Sequence, residues 1–329
     1  KATIVYHAGA EKKKYRPRFT YMGFRYMELS GAAYQPGMIR AYALHTEMKR
    51  TGYFSCENPL VQKLYENQVW GQKSNYVEVP TDCPQRDERL GWLGDRATGA
   101  YGEAFIFNNA QLYNKWLQDI EDSMSPEGSI SDVSPNYWTI YADDVTWPSA
   151  FFYVADMLYR QFGDDSAIRA HYPAMTRWLA HMEEATMKDY IMTKDQYGDW
   201  CMPPESQELI HSKDPSRKTD GAILSTTVYY DLLNKMIGFA RICGQDADIS
   251  GYESLAAKIK AAYNAKFFNK ETAEYGNNTV TANILSLRLG LVPDGYEGTV
   301  FFCELSDVPC GVVAGDDGDG GIVYGLCSN

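Results

Sequence analysis

The spacing of apolar residues changes twice along the chain, and each change predicts a different kind of structure. Over residues 1–50 polar positions alternate with apolar or aromatic ones, as in Arg18-Phe19-Thr20-Tyr21-Met22 and Gly23-Phe24-Arg25-Tyr26-Met27-Glu28-Leu29, and Gly31, Pro36 and Gly37 supply turns. Alternation with a period of two predicts half-buried strands. Two or three strands leave open edges, so residues 1–50 read as the last strands of a β-sandwich domain.

From about Asn58 the period becomes helical. Asn58 and Pro59 supply an N-cap and a first-turn proline, and Leu60, Leu64 and Val69 follow on overlapping turns. Similar stretches run through Tyr113, Trp116, Leu117, Ile120 and Met124, then through Phe151, Val154, Ala155, Leu158 and Phe162, closed by Gly163. Ile168 to Met182 forms another, as does Val228 to Ala240, closed by Gly244. Leu255, Ile259, Tyr263 and Phe267 make a further one, and Ile284 to Leu289 a last, ended by Gly290. Helices in succession with long loops predict antiparallel hairpins, stacked as a solenoid or closed as a toroid. No fixed-period repeat supports a solenoid, which leaves a mainly α toroid over residues 51–293. The tail, 294–329, loses the helical period and carries the run Asp316-Asp317-Gly318-Asp319-Gly320-Gly321. A calcium loop would need a bidentate Glu at the right offset, which is absent, so the tail is expected to be unstructured or aberrant.

Composition narrows the function. With 45% hydrophobic and 22% charged residues in 329, the chain can bury a core, and its length suits about two domains. Lys and Arg total 31 against 43 Asp and Glu, a net charge of −12, which argues against nucleic acid as a partner. No apolar run approaches a membrane span and Lys1–Ala10 lacks a hydrophobic signal core, so the chain reads as soluble; a processed N-terminus would give the same pattern. Seven scattered cysteines, with no Cys-x-x-Cys pair, argue against a disulfide scaffold and against structural zinc, and leave periplasm, secretion and cytoplasm open. The 25 Tyr, 13 Phe and 7 Trp exceed what a core needs; aromatic faces pack on sugars as well as on each other.

The densest chemistry lies in Val79-Pro80-Thr81-Asp82-Cys83-Pro84-Gln85-Arg86-Asp87-Glu88-Arg89-Leu90-Gly91-Trp92-Leu93-Gly94-Asp95, immediately before a helical stretch. Such a segment can be a solvated, salt-bridged loop of little energetic weight. Alternatively, its carboxylates are too close to ionise independently, so one has a raised pKa and serves as a general acid, the group glycoside hydrolysis needs for the leaving oxygen. Trp92 would offer a platform for a sugar.

The string PTDCPQRDERLGWLGD resembles the signature loop of the bacterial α-L-rhamnosidases, inverting glycoside hydrolases built on an (α/α)6 barrel. Pro17 to Tyr26 resembles the end of that family's preceding β-sandwich, and Asp132-Val133-Ser134-Pro135-Asn136 and Tyr197-Gly198-Asp199-Trp200 with Pro203-Pro204 resemble later barrel loops. The similarity runs over roughly residues 15 to 295. It implies an (α/α)6 toroid, incomplete at its C-terminal end, that releases terminal α-L-rhamnosyl groups from glycosides or polysaccharides with no cofactor and no metal in the chemical step. It further implies that Glu88 is the general acid, that Asp82, Arg86 and Asp95 bond the ring hydroxyls beside Trp92, and that Trp147 and Trp200 form further aromatic walls. Inversion needs a second carboxylate across the sugar. In the family this base is a glutamate followed by a histidine, some 250 or more residues after the acid, and the chain ends 241 residues after Glu88. The expectation is therefore a slow enzyme, or a rhamnose-binding remnant, or a relative acting on another sugar, with Glu205, Asp143 and Asp144 the nearest substitutes for the base.

Overall fold

The computed structural model describes residues 3–7, 9, 14–199, 214 and 217–300, with the backbone of 312–316 and 322–326. Helix α1 (Pro59–Asn75) opens as its sequence predicts: the Asn58 side chain accepts from the N–H groups of Leu60 and Val61, and Pro59 needs no partner for an N–H it lacks. Seven more follow among the described residues: α2 (Leu93–Ala104), α3 (Ala110–Asp122), α4 (Ala150–Phe162), α5 (Ser166–Thr186), α6 (Gly221–Cys243), α7 (Asp246–Phe267) and α8 (Val280–Arg288). Helices α4 and α6 stop where Gly163 and Gly244 take left-handed φ values of 68° and 71°.

The helices alternate between two layers. Helix α2 packs on α4, α4 on α6 and α6 on α8, while α3 packs on α5, and Tyr172 and Thr176 of α5 reach Asp248 and Tyr252 of α7. Between the layers α3 meets α4, α5 meets α6, and α6 meets α7. This is the two-ring layout of an (α/α)6 toroid. Its core is aromatic and sulfur-rich, with Trp116, Phe151, Phe152, Met175, Trp178 and Met236 fully buried. Much of the aromatic content thus serves packing. No described helix is long and apolar enough to cross a membrane.

Three helices of the odd-numbered layer end in two-residue hairpins. Strands β1 (Tyr76–Val77) and β2 (Val79–Pro80) follow α1, β3 (Met187–Lys188) and β4 (Ile191–Met192) follow α5, and β5 (Phe268–Asn269) and β6 (Glu274–Tyr275) follow α7. Because neighbouring helices run antiparallel, every loop leaving an odd-numbered helix enters an even-numbered one at the same rim. Segments 81–92, 123–149 and 193–199 are therefore neighbours, although far apart in sequence.

Two expectations change. Residues 18–29 form no strand; within 1–50 the described residues hold only an isolated bridge, from Arg50 to Phe107. The alternation is present, but a strand exists only through a partner's backbone groups. This stretch instead meets the 81–92 loop, where the Gly23 N–H donates to the Pro84 carbonyl at 2.7 Å and the Arg89 guanidinium lies 5.6 Å from the Tyr21 ring centre. In the tail, β7 (Val312–Asp316) and β8 (Ile322–Leu326) pair antiparallel, Val312 opposite Leu326, where no regular structure was expected. Val312-Val313 before and Ile322-Val323 after an Asp-Gly run are a hairpin signal in their own right.

Candidate active site

The acid-rich loop is closed at its neck by its own first carboxylate. The Asp82 N–H donates to the Leu90 carbonyl at 3.0 Å, and the Leu90 N–H donates to Asp82 Oδ1 at 2.9 Å. Arg86 then bridges two carboxylates, giving Nη2 to Asp82 Oδ2 at 2.8 Å and Nε to Glu88 Oε2 at 2.6 Å. Trp92 Nε1 donates to the other Glu88 oxygen at 2.8 Å. Four of the residues expected at the site are thus one hydrogen-bonded unit. Asp82, Cys83 and Glu88 also place ligand atoms within 4.8 Å of one another, the only such group among the described residues. The cation between the two carboxylates is the Arg86 guanidinium, and burial pushes the Cys83 thiol pKa up, away from the thiolate a metal would need.

Two glycines allow the loop to dock. A side chain on Gly91 would strike the Ser134 carbonyl at 2.1 Å, and one on Gly94 would enter the Trp147 indole at 2.2 Å. Trp147 accordingly lies against the first turn of α2. Its ring stacks on Tyr197 at 4.1 Å, and Tyr197 meets Trp92 edge-on at 6.2 Å. Trp138 meets Trp92 in the same way at 6.1 Å. Of the expected aromatic walls, Trp147 is joined to the unit through Tyr197, and Trp200 lies outside the described residues.

The electrostatics depart from the expectation drawn from charge crowding. The hydrogen bond from Arg86 holds the Glu88 carboxyl below its usual range, with burial opposing and Trp92 assisting. The upward shifts fall elsewhere. Asp95, in the first turn of α2, is open to solvent but ringed by protein; partial loss of water raises its pKa against the pull of Arg96, and the charge of Asp82 adds to the rise. Asp132 is fully buried and rises to about 7, chiefly by desolvation, with Asp144, Asp143 and Asp195 adding like charge and the Tyr197 hydroxyl, which donates to its Oδ2 at 2.6 Å, opposing. Loss of water thus raises Asp95 and Asp132, while the Arg86 guanidinium holds Glu88 low.

Asp132 gives a test with a definite sign. In the folded chain it keeps a proton between about pH 4 and 7 that the unfolded chain has released, so its ionisation costs stability progressively across that window. Asp132→Asn is expected to raise the melting temperature near pH 8 and to leave it unchanged near pH 4. A shift of the same size at both values in thermal denaturation would contradict the assignment.

The two candidate bases that the structure describes are occupied. Asp143 accepts from Ser129 Oγ at 2.8 Å and pairs with His181 Nε2 at 2.7 Å. Asp144 accepts from Thr146 Oγ1 and from the N–H groups of Trp147 and Gln196. Both carboxylates hold loops together through these bonds. Glu205 lies outside the described residues. Sequence reasoning missed Trp138 and the wall role of Tyr197, since each comes from a different loop.

A rim of convergent loops on two layers of alternating helices, carrying paired carboxylates and indoles, defines the class as a helical-hairpin glycosidase fold. Residues 49–305 match the bacterial alpha-L-rhamnosidase 6 hairpin glycosidase domain, and residues 1–45 match the bacterial alpha-L-rhamnosidase concanavalin-like domain. The chain belongs to the bacterial α-L-rhamnosidase six-hairpin glycosidase family. It is 30% identical to an alpha-L-rhamnosidase of Streptomyces avermitilis over 87% of the chain and 26% of that protein, and 29% identical to one of Alteromonas sp. over 85% of the chain and 31% of that protein. Among solved structures, the alpha-L-rhamnosidase of Dictyoglumus thermophilum superimposes with a TM-score of 0.73 at 37% identity, covering 80% of this chain and 29% of that one. The Streptomyces avermitilis enzyme, solved with L-rhamnose, gives 0.72 at 27% identity, covering 80% of this chain and 24% of that one. The chain therefore spans about a quarter to a third of the length of these relatives.

Proposed function

We propose that the protein hydrolyses terminal α-L-rhamnosyl groups of glycosides or polysaccharides with inversion. In this reading Glu88 is the general acid, Asp82, Arg86, Asp95 and Trp92 hold the rhamnose ring, and Trp147 and Trp200 flank it. The observation that carries it is the pair of hydrogen bonds fixing Glu88, from Arg86 on one oxygen and Trp92 on the other. Positions that a protein holds so closely suit a group that must meet one oxygen of the substrate.

An acid must carry a proton, whereas Arg86 favours the carboxylate. The substrate resolves this. Ring hydroxyls compete for the Arg86 N–H groups and for Asp82, and a hydroxyl that takes the Nε–H strips Glu88 of its charge partner. The sugar also displaces water from Glu88, which favours the neutral form. Binding thus converts Glu88 from an ion-paired carboxylate into an acid at the leaving oxygen. The base across the ring is assigned neither to Asp143 nor to Asp144.

Calorimetry with L-rhamnose tests the subsite. Asp82→Ala is expected to keep the helical circular dichroism and to weaken rhamnose binding by more than the roughly 1 kcal/mol of a neutral hydrogen bond, because a largely buried charged acceptor is lost. Unchanged affinity would make the loop purely structural and overturn the subsite.

A further inference from the structure

We propose that the loop of residues 133–139 forms the subsite for the leaving group, with the Trp138 indole as platform for an aglycone that has a flat apolar face. The proposal rests on the function above and goes beyond it, since it concerns the group released and not the rhamnose.

The loop is rigidly placed relative to the acid. Its neck is closed by the Asp132 N–H donating to the Ile140 carbonyl at 2.9 Å. It is fastened to the acid loop by the Ser134 N–H to the Gly91 carbonyl and the Leu93 N–H to the Asp132 carbonyl, both at 2.9 Å, and to the core by Trp116 Nε1 on the Ser134 carbonyl, also at 2.9 Å. Asn136 donates to the Tyr141 hydroxyl, which donates to the Ser123 carbonyl at 2.6 Å. A loop so braced presents its side chains with little entropy left to lose.

What it presents is aromatic and open. Trp138 is 40% exposed and Tyr137 83%, yet neither belongs to the hydrophobic core. The Asp82 side chain is 6% exposed and that of Glu88 22%, Trp92 is half-buried, Arg86 and Asp95 are open to solvent, and Trp138 lies edge-on against Trp92 at 6.1 Å. An enzyme that removes a terminal sugar encloses that sugar at the closed end and leaves the rest of the substrate toward solvent, with the acid between them. Glu88 is joined to Trp92 by a hydrogen bond, and Trp138, itself open to solvent, adjoins Trp92. Trp138 therefore stands where a leaving group emerges. An indole at that place has an apolar face for a planar ring, and its ring quadrupole favours the partly positive edge hydrogens of an aromatic aglycone.

The test uses three ligands on the 329-residue chain: L-rhamnose, methyl 1-thio-α-L-rhamnoside and phenyl 1-thio-α-L-rhamnoside, the thioglycosides being chosen because they resist acid-catalysed cleavage. The wild type is expected to bind the phenyl compound about fivefold to tenfold more tightly than the methyl compound, the increment of one aromatic contact. Trp138→Ala should reduce that advantage to about twofold or less while leaving affinity for free L-rhamnose unchanged, and Trp138→Phe should retain most of it. No phenyl advantage in the wild type, an undiminished advantage in Trp138→Ala, or a parallel loss of rhamnose itself would each overturn the subsite. Failure of the wild type to bind rhamnose in any form would instead strike the proposed function, and the subsite with it.

Discussion

Arg96→Met is expected to destabilise the fold by about 3–5 kcal/mol, the cost of leaving one partner of a buried ion pair behind. Arg96 is 8% and Glu103 6% exposed, and the guanidinium Nη1 donates to Glu103 Oε1. The other Glu103 oxygen accepts from the hydroxyls of Tyr76 and Tyr113. Burial and the nearby Glu103 charge push both tyrosines well above their usual pKa, so they stay protonated donors. Arg96 Nη2 also holds the Thr81 carbonyl at 2.9 Å, one residue before Asp82. Without Arg96, the Glu103 carboxyl loses its partner in the protein interior and the base of the acid loop loses an anchor. Urea denaturation measures the first effect. The double variant Arg96→Met/Glu103→Gln should recover part of the loss, because the uncompensated charge is gone. A loss below about 1 kcal/mol for Arg96→Met would show that the pair is not the clamp described.

That network was not legible in the sequence, and the reason is physical. Arg96 and Glu103 lie on one helix, but their partners Thr81, Tyr76 and Tyr113 come from a loop, a strand and another helix, and no spacing rule links those positions. Helix α1, by contrast, was legible down to its cap, since Asn58 and Pro59 act on residues two and three positions away. The glycine stops of α4 and α6 are local in the same sense. The unit of Asp82, Arg86, Glu88 and Trp92 was legible because one loop carries all four. Trp138 and Asp132 reach the site from another segment, and Tyr197 from a third. Counting carboxylates pointed to a raised pKa, but the residues that have it, Asp95 and Asp132, are set by burial, while Arg86 holds Glu88 low. The strands expected in residues 18–29 show the opposite limit, where alternation is local and pairing is not.

In the proposed reaction Glu88 protonates the leaving oxygen. A positioned general acid contributes about a hundredfold to ten-thousandfold when the leaving group is poor, and little when the leaving group departs as a stable anion. Glu88→Gln keeps an acceptor for one of the two donors, Arg86 or Trp92, and has no proton of suitable acidity to give, so the variant should lose cleavage selectively. The most direct measurement is the rate of release, by wild type and Glu88→Gln, from a series of α-L-rhamnosides running from dinitrophenyl through phenyl to alkyl leaving groups. A loss that grows along the series is expected, from less than about tenfold for dinitrophenyl to about a thousandfold for the alkyl glycoside. Equal losses across the series, or a wild-type chain that releases no member of it, would overturn Glu88 as the general acid.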